Sequence, residues 1–112
     1  MNCKDINTAS RKGNLYIVKK LIDNGCDPTT SNNSAIQFAS LKGHLDVVRL
    51  LLDHGCDPTV NNNFAIKWAS RNGHLDVVKL LLEYGCDVNV AINAGSDTNK
   101  KIIENYVKEI KR

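Results

Sequence analysis

The sequence repeats itself every thirty residues. Residues 28–57 and 58–87 align without a gap and are identical at twenty of thirty positions. The same pattern is recognisable in residues 4–27, and it decays after the third copy. Self-similarity at such a period is typical of a solenoid, in which each unit packs against its neighbours. The sequence therefore predicts three repeats within one domain of residues 1–112, closed by a capping segment at 88–112.

Each repeat contains two helical patterns separated by a glycine. In the third copy, the apolar residues of 65–69 indicate a short helix of about two turns that Gly73 interrupts. Apolar residues at helical spacing then indicate a longer helix over 75–82, which Gly85 ends in a left-handed conformation. The asparagines 61–63 indicate a turn. Because neither helix can bury its apolar side alone, the sequence predicts an all-α solenoid of stacked helix-turn-helix units.

The charge pattern argues against a nucleic-acid-binding groove. Residues 1–99 contain ten basic and ten acidic residues, whereas 100–112 contain five and two, so the net charge of +3 comes from the tail. The apolar runs are too short for a transmembrane helix or a signal-peptide core. We therefore expect a cytoplasmic protein that is not secreted.

The segment Ser70–Asp87, which reads SRNGHLDVVKLLLEYGCD, closely resembles the second half of an ankyrin repeat. The resemblance covers residues 5 to about 89. The unit has thirty residues where ankyrin repeats usually have thirty-three, and the loss falls between Asp57 and Ala65. Since Phe64–Lys67 replace the usual Thr-Pro-Leu-His, we expect shorter, flatter hairpins without the hydrogen-bond network of that motif. Asn-rich units of this length are similar to the ankyrin repeats of giant amoeba-infecting DNA viruses.

The resemblance implies a protein-binding function on the concave face of short helices and hairpins. It implies no catalysis, no cofactor, no membrane and no small-molecule substrate. The partner would be a protein, a host protein if the origin is viral, bound by a monomer. The family's variable contact positions at helix ends correspond here to Arg11, Lys12, Asn24, Leu41, Lys42, His54, Arg71, Asn72 and Tyr84. Two alternatives are a structural segment of a larger assembly and nucleic-acid binding through Arg11, Lys12, Lys42 and Arg71.

Three cysteines recur at the same position of successive repeats: Cys26, Cys56 and Cys86. Packed helices lie about 10 Å apart, whereas a disulfide needs Cα atoms within about 7 Å. The spacing therefore predicts three free, buried thiols. Cys3 lies outside this series.

Other residues that could support chemistry recur for structural reasons. His44 and His74 precede the longer helices without the spacing of a metal site, so we expect hydrogen bonds to a neighbouring loop and no bound metal. Ser40 and Ser70 recur at one repeat position, which favours packing over catalysis, and no nucleophile motif is present.

Two further features concern packing. Phe38 and Trp68 share a repeat position and form either an aromatic binding strip or part of the core, and helical spacing favours the core. In the capping segment, apolar residues from 102 to 110 predict a last helix with Asp97 or Thr98 as N-cap. Lys111 and Arg112 are expected on its exterior.

Overall fold

Eight helices alternate between two layers within residues 2–110, the part of the chain that the computed structural model describes. They are α1 (Asp5–Lys12), α2 (Leu15–Asp23), α3 (Thr30–Lys42), α4 (Leu45–Asp53), α5 (Val60–Arg71), α6 (Leu75–Glu83), α7 (Val88–Ala94) and α8 (Asp97–Ile110). The first helices of each pair (α1, α3, α5 and α7) stack in one layer, and the second helices (α2, α4, α6 and α8) stack in the other. The extents are 43 × 24 × 22 Å. The predicted all-α solenoid is confirmed.

Glycines in the left-handed conformation make the turn inside each of the first three pairs. Gly13, with a φ of 74°, follows α1, and its N–H donates to the carbonyl of Ser10. The N–H of Asn14 donates to the carbonyl of Ala9. These two hydrogen bonds form the Schellman motif, which satisfies the last carbonyls of a helix and reverses the chain. The second helix therefore runs antiparallel to the first.

The first two of these turns fit the histidine of the following pair. A Cβ atom on Gly13 would overlap the imidazole of His44, and one on Gly43 would overlap that of His74. His44 Nε2 also lies 2.8 Å from the carbonyl oxygen of Arg11, a distance at which it donates a hydrogen bond. The predicted structural role is confirmed for His44, although the acceptor is the end of α1 and not a loop. Glycine is needed here for both its φ and its small size.

The core lies between the two layers and repeats every thirty residues. Its largest buried side chains are Ile6, Ile36 and Ile66 from the first helices and Leu21, Leu51 and Leu81 from the second helices. Burial of a side chain of this size stabilises a fold by about 1.5 to 3 kcal/mol. Ser40 and Ser70 are fully buried in the same layer, consistent with packing. No helix within residues 2–110 is long and apolar enough to cross a membrane.

The connections between pairs contain a left-handed helical turn where we expected flat hairpins. Residues 31–33 and 61–63 all have φ between 54° and 61°. Asparagine fills five of these six positions and tolerates this region better than most residues. The regular part of α3 then covers 34–42, which is as long as the nine residues of α4. The expected difference between a short and a long helix is therefore wrong for this pair.

The last pair has a shorter entry than the others. Three residues lie between Asp87 and Ala91, whereas seven lie between Asp57 and Ala65, and no run of three left-handed residues precedes α7. The Asp87 carboxylate instead accepts a hydrogen bond from the N–H of Asn89 at 2.8 Å and caps the helix. The sequence pattern did not predict α7, because its apolar repeat is too degenerate there.

The N-cap of the last helix is Ser96, which precedes both of the predicted N-cap residues. Ser96 Oγ accepts a hydrogen bond from the N–H of Asn99 at 3.3 Å, so Ser96 occupies the capping position. Asp97 and Thr98 lie within α8, and the assignment of either as N-cap is wrong. The expected exterior positions of Lys111 and Arg112 lie outside the described residues.

The prediction of a free thiol at Cys26 is wrong. Cys26 forms a disulfide with Cys3, with Cα atoms 5.4 Å apart. The spacing argument considered only cysteines of adjacent repeats, whereas Cys3 comes from the segment before α1. Cys56 and Cys86 are free and buried, as predicted.

Candidate functional site

The candidate contact residues lie in two rows at opposite ends of the helices. Because the helices of a pair are antiparallel, their C-termini face opposite ends of the pair. A helix of nine residues is about 13 Å long, which gives the scale of the separation between the rows. The first-helix row contains Arg11, Lys12, Leu41, Lys42, Arg71 and Asn72. The second-helix row contains Asn24, His54 and Tyr84.

Contacts between pairs organise the first-helix row. Asn72 Nδ2 donates to the carbonyl oxygen of Leu41 at 3.0 Å, much as His44 donates to that of Arg11. The amide of Asn72 therefore has a structural partner, and the side chain of Leu41, another candidate contact residue, is partly buried. Lys42 and Arg71 are exposed. The cations of this row are the side chains most available to a ligand.

An aromatic cluster lies beside the first-helix row on α5. The rings of Phe64 and Trp68 have centroids 6.0 Å apart, and the guanidinium carbon of Arg71 lies 4.9 Å from the centre of the Trp68 ring. Trp68 and Phe38 are both partly exposed and neither belongs to the buried core. The assignment of these two aromatics to the core is therefore wrong. On α5, Ala65 and its neighbours already form the buried side, and Trp68 points away from it.

A shallow cleft of about 290 Å³ opens between α5 and α7. Its lining consists of Asn62, Lys67, Arg71, Val90, Asn93 and Ala94. Between α3 and α5, the buried amide of Gln37 occupies the corresponding place, accepting from Asn61 Nδ2 at 2.8 Å and donating to the carbonyl of Asn32 at 2.9 Å. Lys67 stands at the position of Gln37 in the next repeat, and α7 has no residue equivalent to Asn61. The shortened entry to α7 therefore leaves this space open.

Sequence reasoning missed the cleft and one of its cations, Lys67. The alignment does contain a signal, because the glutamine of the second repeat becomes a lysine in the third. The consequence of this change from glutamine to lysine depends on the shortened segment before α7. That shortening can be recognised only when α7 has been located.

A family model of ankyrin repeats, in three copies, matches residues 6–92. The chain belongs to the ankyrin repeat family. No curated protein matches the chain significantly. Ankyrin repeats are generally protein–protein interaction modules and are typically not catalytic.

The two layers of this ankyrin solenoid differ in charge. Its first helices contain five basic residues, namely Arg11, Lys12, Lys42, Lys67 and Arg71, against the single acid Asp5. The second helices contain seven basic and eight acidic residues. The numbers of basic and acidic residues are thus nearly equal along the sequence, but the first helices form a cationic layer. Charged residues that are close in sequence belong to different layers.

The turns between ankyrin pairs present carboxylates at the other end of the first helices. The N–H and hydroxyl of Thr29 donate to Asp27 and lower the pKa of its carboxyl group. The hydroxyl and N–H of Thr59 lower the pKa of Asp57 in the same way. Hydrogen bonds to the charged form favour ionisation. The cationic layer is therefore bordered by fixed negative charges.

The free cysteines of the solenoid are not nucleophiles. Burial, and secondarily the charge of Asp57, raises the pKa of the Cys86 thiol to about 12. Burial and Asp27 raise that of Cys56 to about 12. A thiol reacts as the thiolate, which is scarce at neutral pH under these conditions. Within residues 2–110, no group of three or more His, Cys, Asp or Glu side chains could hold a metal ion.

Proposed function

We propose that this ankyrin chain is a non-catalytic module that binds a partner protein through the face formed by its first helices. The cluster of the partly exposed Phe64 and Trp68 with the exposed Arg71 supports this choice of face most strongly. Trp and Arg are the residue types most enriched at the energetic centres of interfaces. A rigid aromatic surface with a cation held over it needs little ordering on binding.

The proposed setting is the cytoplasm, with a host protein as partner. The resemblance of the Asn-rich repeats to those of giant viruses supports a host partner. Cytoplasmic thiols are kept reduced, so the Cys3–Cys26 bond would be open there.

Three matched triple variants test the proposed face. The first-helix variant is Arg11→Ala, Lys42→Ala and Arg71→Ala. The second-helix variant is Asn24→Ala, His54→Ala and Tyr84→Ala. The control, Asp46→Ala, Arg49→Ala and Lys79→Ala, alters exposed residues of the second helices.

Affinity capture from a eukaryotic cell lysate should fail for the first-helix variant only. Truncation of a central contact residue costs about 2 kcal/mol or more, roughly thirtyfold in affinity. Exposed substitutions shift stability by under about 0.5 kcal/mol, so circular dichroism should give similar melting temperatures for all three. Equal capture by the first-helix variant and the control would refute the assignment of binding to the first helices. Loss of capture in the control alone would indicate that the partner binds the second helices.

A further inference from the structure

We infer that the cleft between α5 and α7 binds an acidic peptide segment of the partner, with a carboxylate held between Lys67 and Arg71. This inference rests on the proposed function, because it assigns a chemistry to part of the same face. The occupant follows from the charge and the lining of the cleft.

The two cations of the cleft lack a compensating charge on their own helix. Lys67 and Arg71 are four residues apart on α5, so they lie on the same side one turn apart. Both are exposed, and like charges at this spacing repel each other. Within the first helices, the single acidic residue is Asp5, which lies in α1 at the far end of the stack. A carboxylate between the two cations would remove this repulsion and accept hydrogen bonds from both.

The remaining lining suits a peptide side chain. Asn62 and Asn93 present side-chain amides that can donate to a carboxylate or to a peptide carbonyl. Val90 and Ala94 are partly buried apolar residues that can contact the methylene groups of a glutamate. The four polar side chains can orient one acidic side chain, and the two apolar ones can contact its methylene groups.

The comparison with the preceding interface supports a vacant site. Between α3 and α5, the Gln37 amide donates to a carbonyl and accepts from Asn61, so the groups there are satisfied within the protein. Lys67 has only donors, so this interface lacks the acceptor oxygen that Gln37 provides in the preceding one. The shortened entry to α7 also removes the counterpart of Asn61, the donor to that oxygen. The chemistry missing from the cleft is therefore that of an acceptor, ideally a charged one.

A peptide fits this site better than a nucleic acid. Nucleic-acid affinity depends on a row of phosphate contacts, and the cleft contains two cations. Asp87 lies next to the cleft, since its N–H donates to Asn63 Oδ1 at 3.1 Å and Asn63 is adjacent to Asn62. A carboxylate at this edge opposes a continuous polyanion while leaving room for a single acidic side chain.

The test is a direct binding titration of the full chain with peptides of defined composition. The probe is a fluorescein-labelled peptide of glutamate, alanine and serine, and its counterpart has glutamine at every glutamate position. A thymidine oligonucleotide serves as the competing polyanion. Trp68 is the only tryptophan of the chain, and Arg71 contacts it, so its emission reports occupation of the cleft independently of the label.

The variant Lys67→Gln with Arg71→Leu replaces both cations by the residues of the second repeat, which that repeat already accommodates. The matched control is Lys79→Gln with Arg49→Leu, which makes the same chemical changes on the second helices. We expect the glutamate peptide to bind, the glutamine peptide not to bind, and the cleft variant to lose about tenfold or more in affinity. The control should change affinity less than about twofold, and circular dichroism should give similar helix contents for both variants.

The other results overturn either the inference or the proposed function, and they can be told apart. No binding of the glutamate peptide, equal binding of the glutamine peptide, or equal loss in variant and control would each reject a specific carboxylate site. Tighter binding of the oligonucleotide would assign the cations to nucleic acid. Partner capture that requires the first-helix row, without peptide binding, would reject only the acidic occupant. Peptide binding that requires Lys67 and Arg71, with partner capture unaffected by the first-helix variant, would retain the cleft and reject the proposed function.

Discussion

The disulfide between Cys3 and Cys26 ties the segment before α1 to the residues after α2. These positions are 23 residues apart in sequence, so the bond closes a loop around the whole first pair. Cys26 is buried at the same repeat position as Cys56 and Cys86, whereas Cys3 is exposed. One partner is thus part of the solenoid packing and the other is accessible to reductants.

Reduction of this bond should destabilise the chain by about 3 kcal/mol, since a closed loop of this length removes that much chain entropy from the unfolded state. Urea titrations with and without dithiothreitol, followed by circular dichroism, measure the difference. Cys3→Ser provides the control, because the reductant should no longer affect its unfolding.

Thiol counting checks the same pairing. After unfolding without reductant, iodoacetamide should label two cysteines, Cys56 and Cys86, and after reduction it should label four. Four labelled cysteines without reductant would show that the pairing is absent in solution.

The repeat spacing excluded disulfide bonds between equivalent cysteines of adjacent repeats, but it did not predict the position of Cys3. Its position depends on how the segment before α1 folds over the first pair, and this segment lies outside the repeat pattern. The exposure of Trp68 was hidden for a related reason. Helical spacing places it beside core positions, and only packing decides whether a residue at the border of the apolar face is covered.

At the level of helices and turns, the asparagines 61–63 combine two functions. Their backbone adopts three consecutive left-handed conformations, each of which costs most residues about 1 to 2 kcal/mol. The side chain of Asn63 also accepts a hydrogen bond from the N–H of Asp87, and Asn33 does the same for Asp57. The last asparagine of each turn therefore both forms the turn and links it to the first residue of the next connection between pairs.

Asn63→Ala should lower the free energy of unfolding by about 1 to 2 kcal/mol through conformational cost and loss of this bond. Asn63→Gly separates the two contributions, because glycine adopts the left-handed region freely and lacks only the acceptor. It should cost about 1 kcal/mol at most. Urea denaturation of both variants measures this, and an alanine variant as stable as wild type would argue against the left-handed turn.

The helices themselves were predictable from apolar periodicity and glycine positions, because both reflect burial against a neighbour. The left-handed turns were not, since asparagine indicates a turn without specifying its handedness over three residues. The α5–α7 cleft was still less accessible. It exists because the segment before α7 is four residues shorter than the one before α5. The effect of this shortening can be recognised only when the positions of α5 and α7 are known.

Over the whole molecule, contacts join neighbouring pairs, as expected for a solenoid. Stability is then the sum of each pair and its interfaces, so damage in one pair affects its neighbours most. The disulfide reinforces the first pair only, which makes the C-terminal half the weaker end.

Leu81→Ala should cost about 2 to 5 kcal/mol, because Leu81 is fully buried and its truncation leaves a cavity. We expect the pairs around α6 to unfold first, with helical signal remaining from the first pair. Circular dichroism reports total helix, and Trp68 emission reports the third repeat.

Ile110→Ala is the matched control, since Ile110 is 52% exposed and should change stability by less than about 0.5 kcal/mol. Coincident loss of both signals in Leu81→Ala would show that the solenoid unfolds as one cooperative unit.

The fit of His44 and His74 into the glycine turns of the preceding pairs makes the middle of this chain extensible. A tandem duplication of residues 28–57 would bring its own histidine to meet the preceding glycine and its own glycine to receive the following histidine. Unequal recombination within the gene could thus add a unit without creating a mismatched junction. The end of the chain differs, because the side chain facing Gly73 is Asn99. New units are therefore accommodated internally, and the distinctive final cleft is preserved while the length of the array changes.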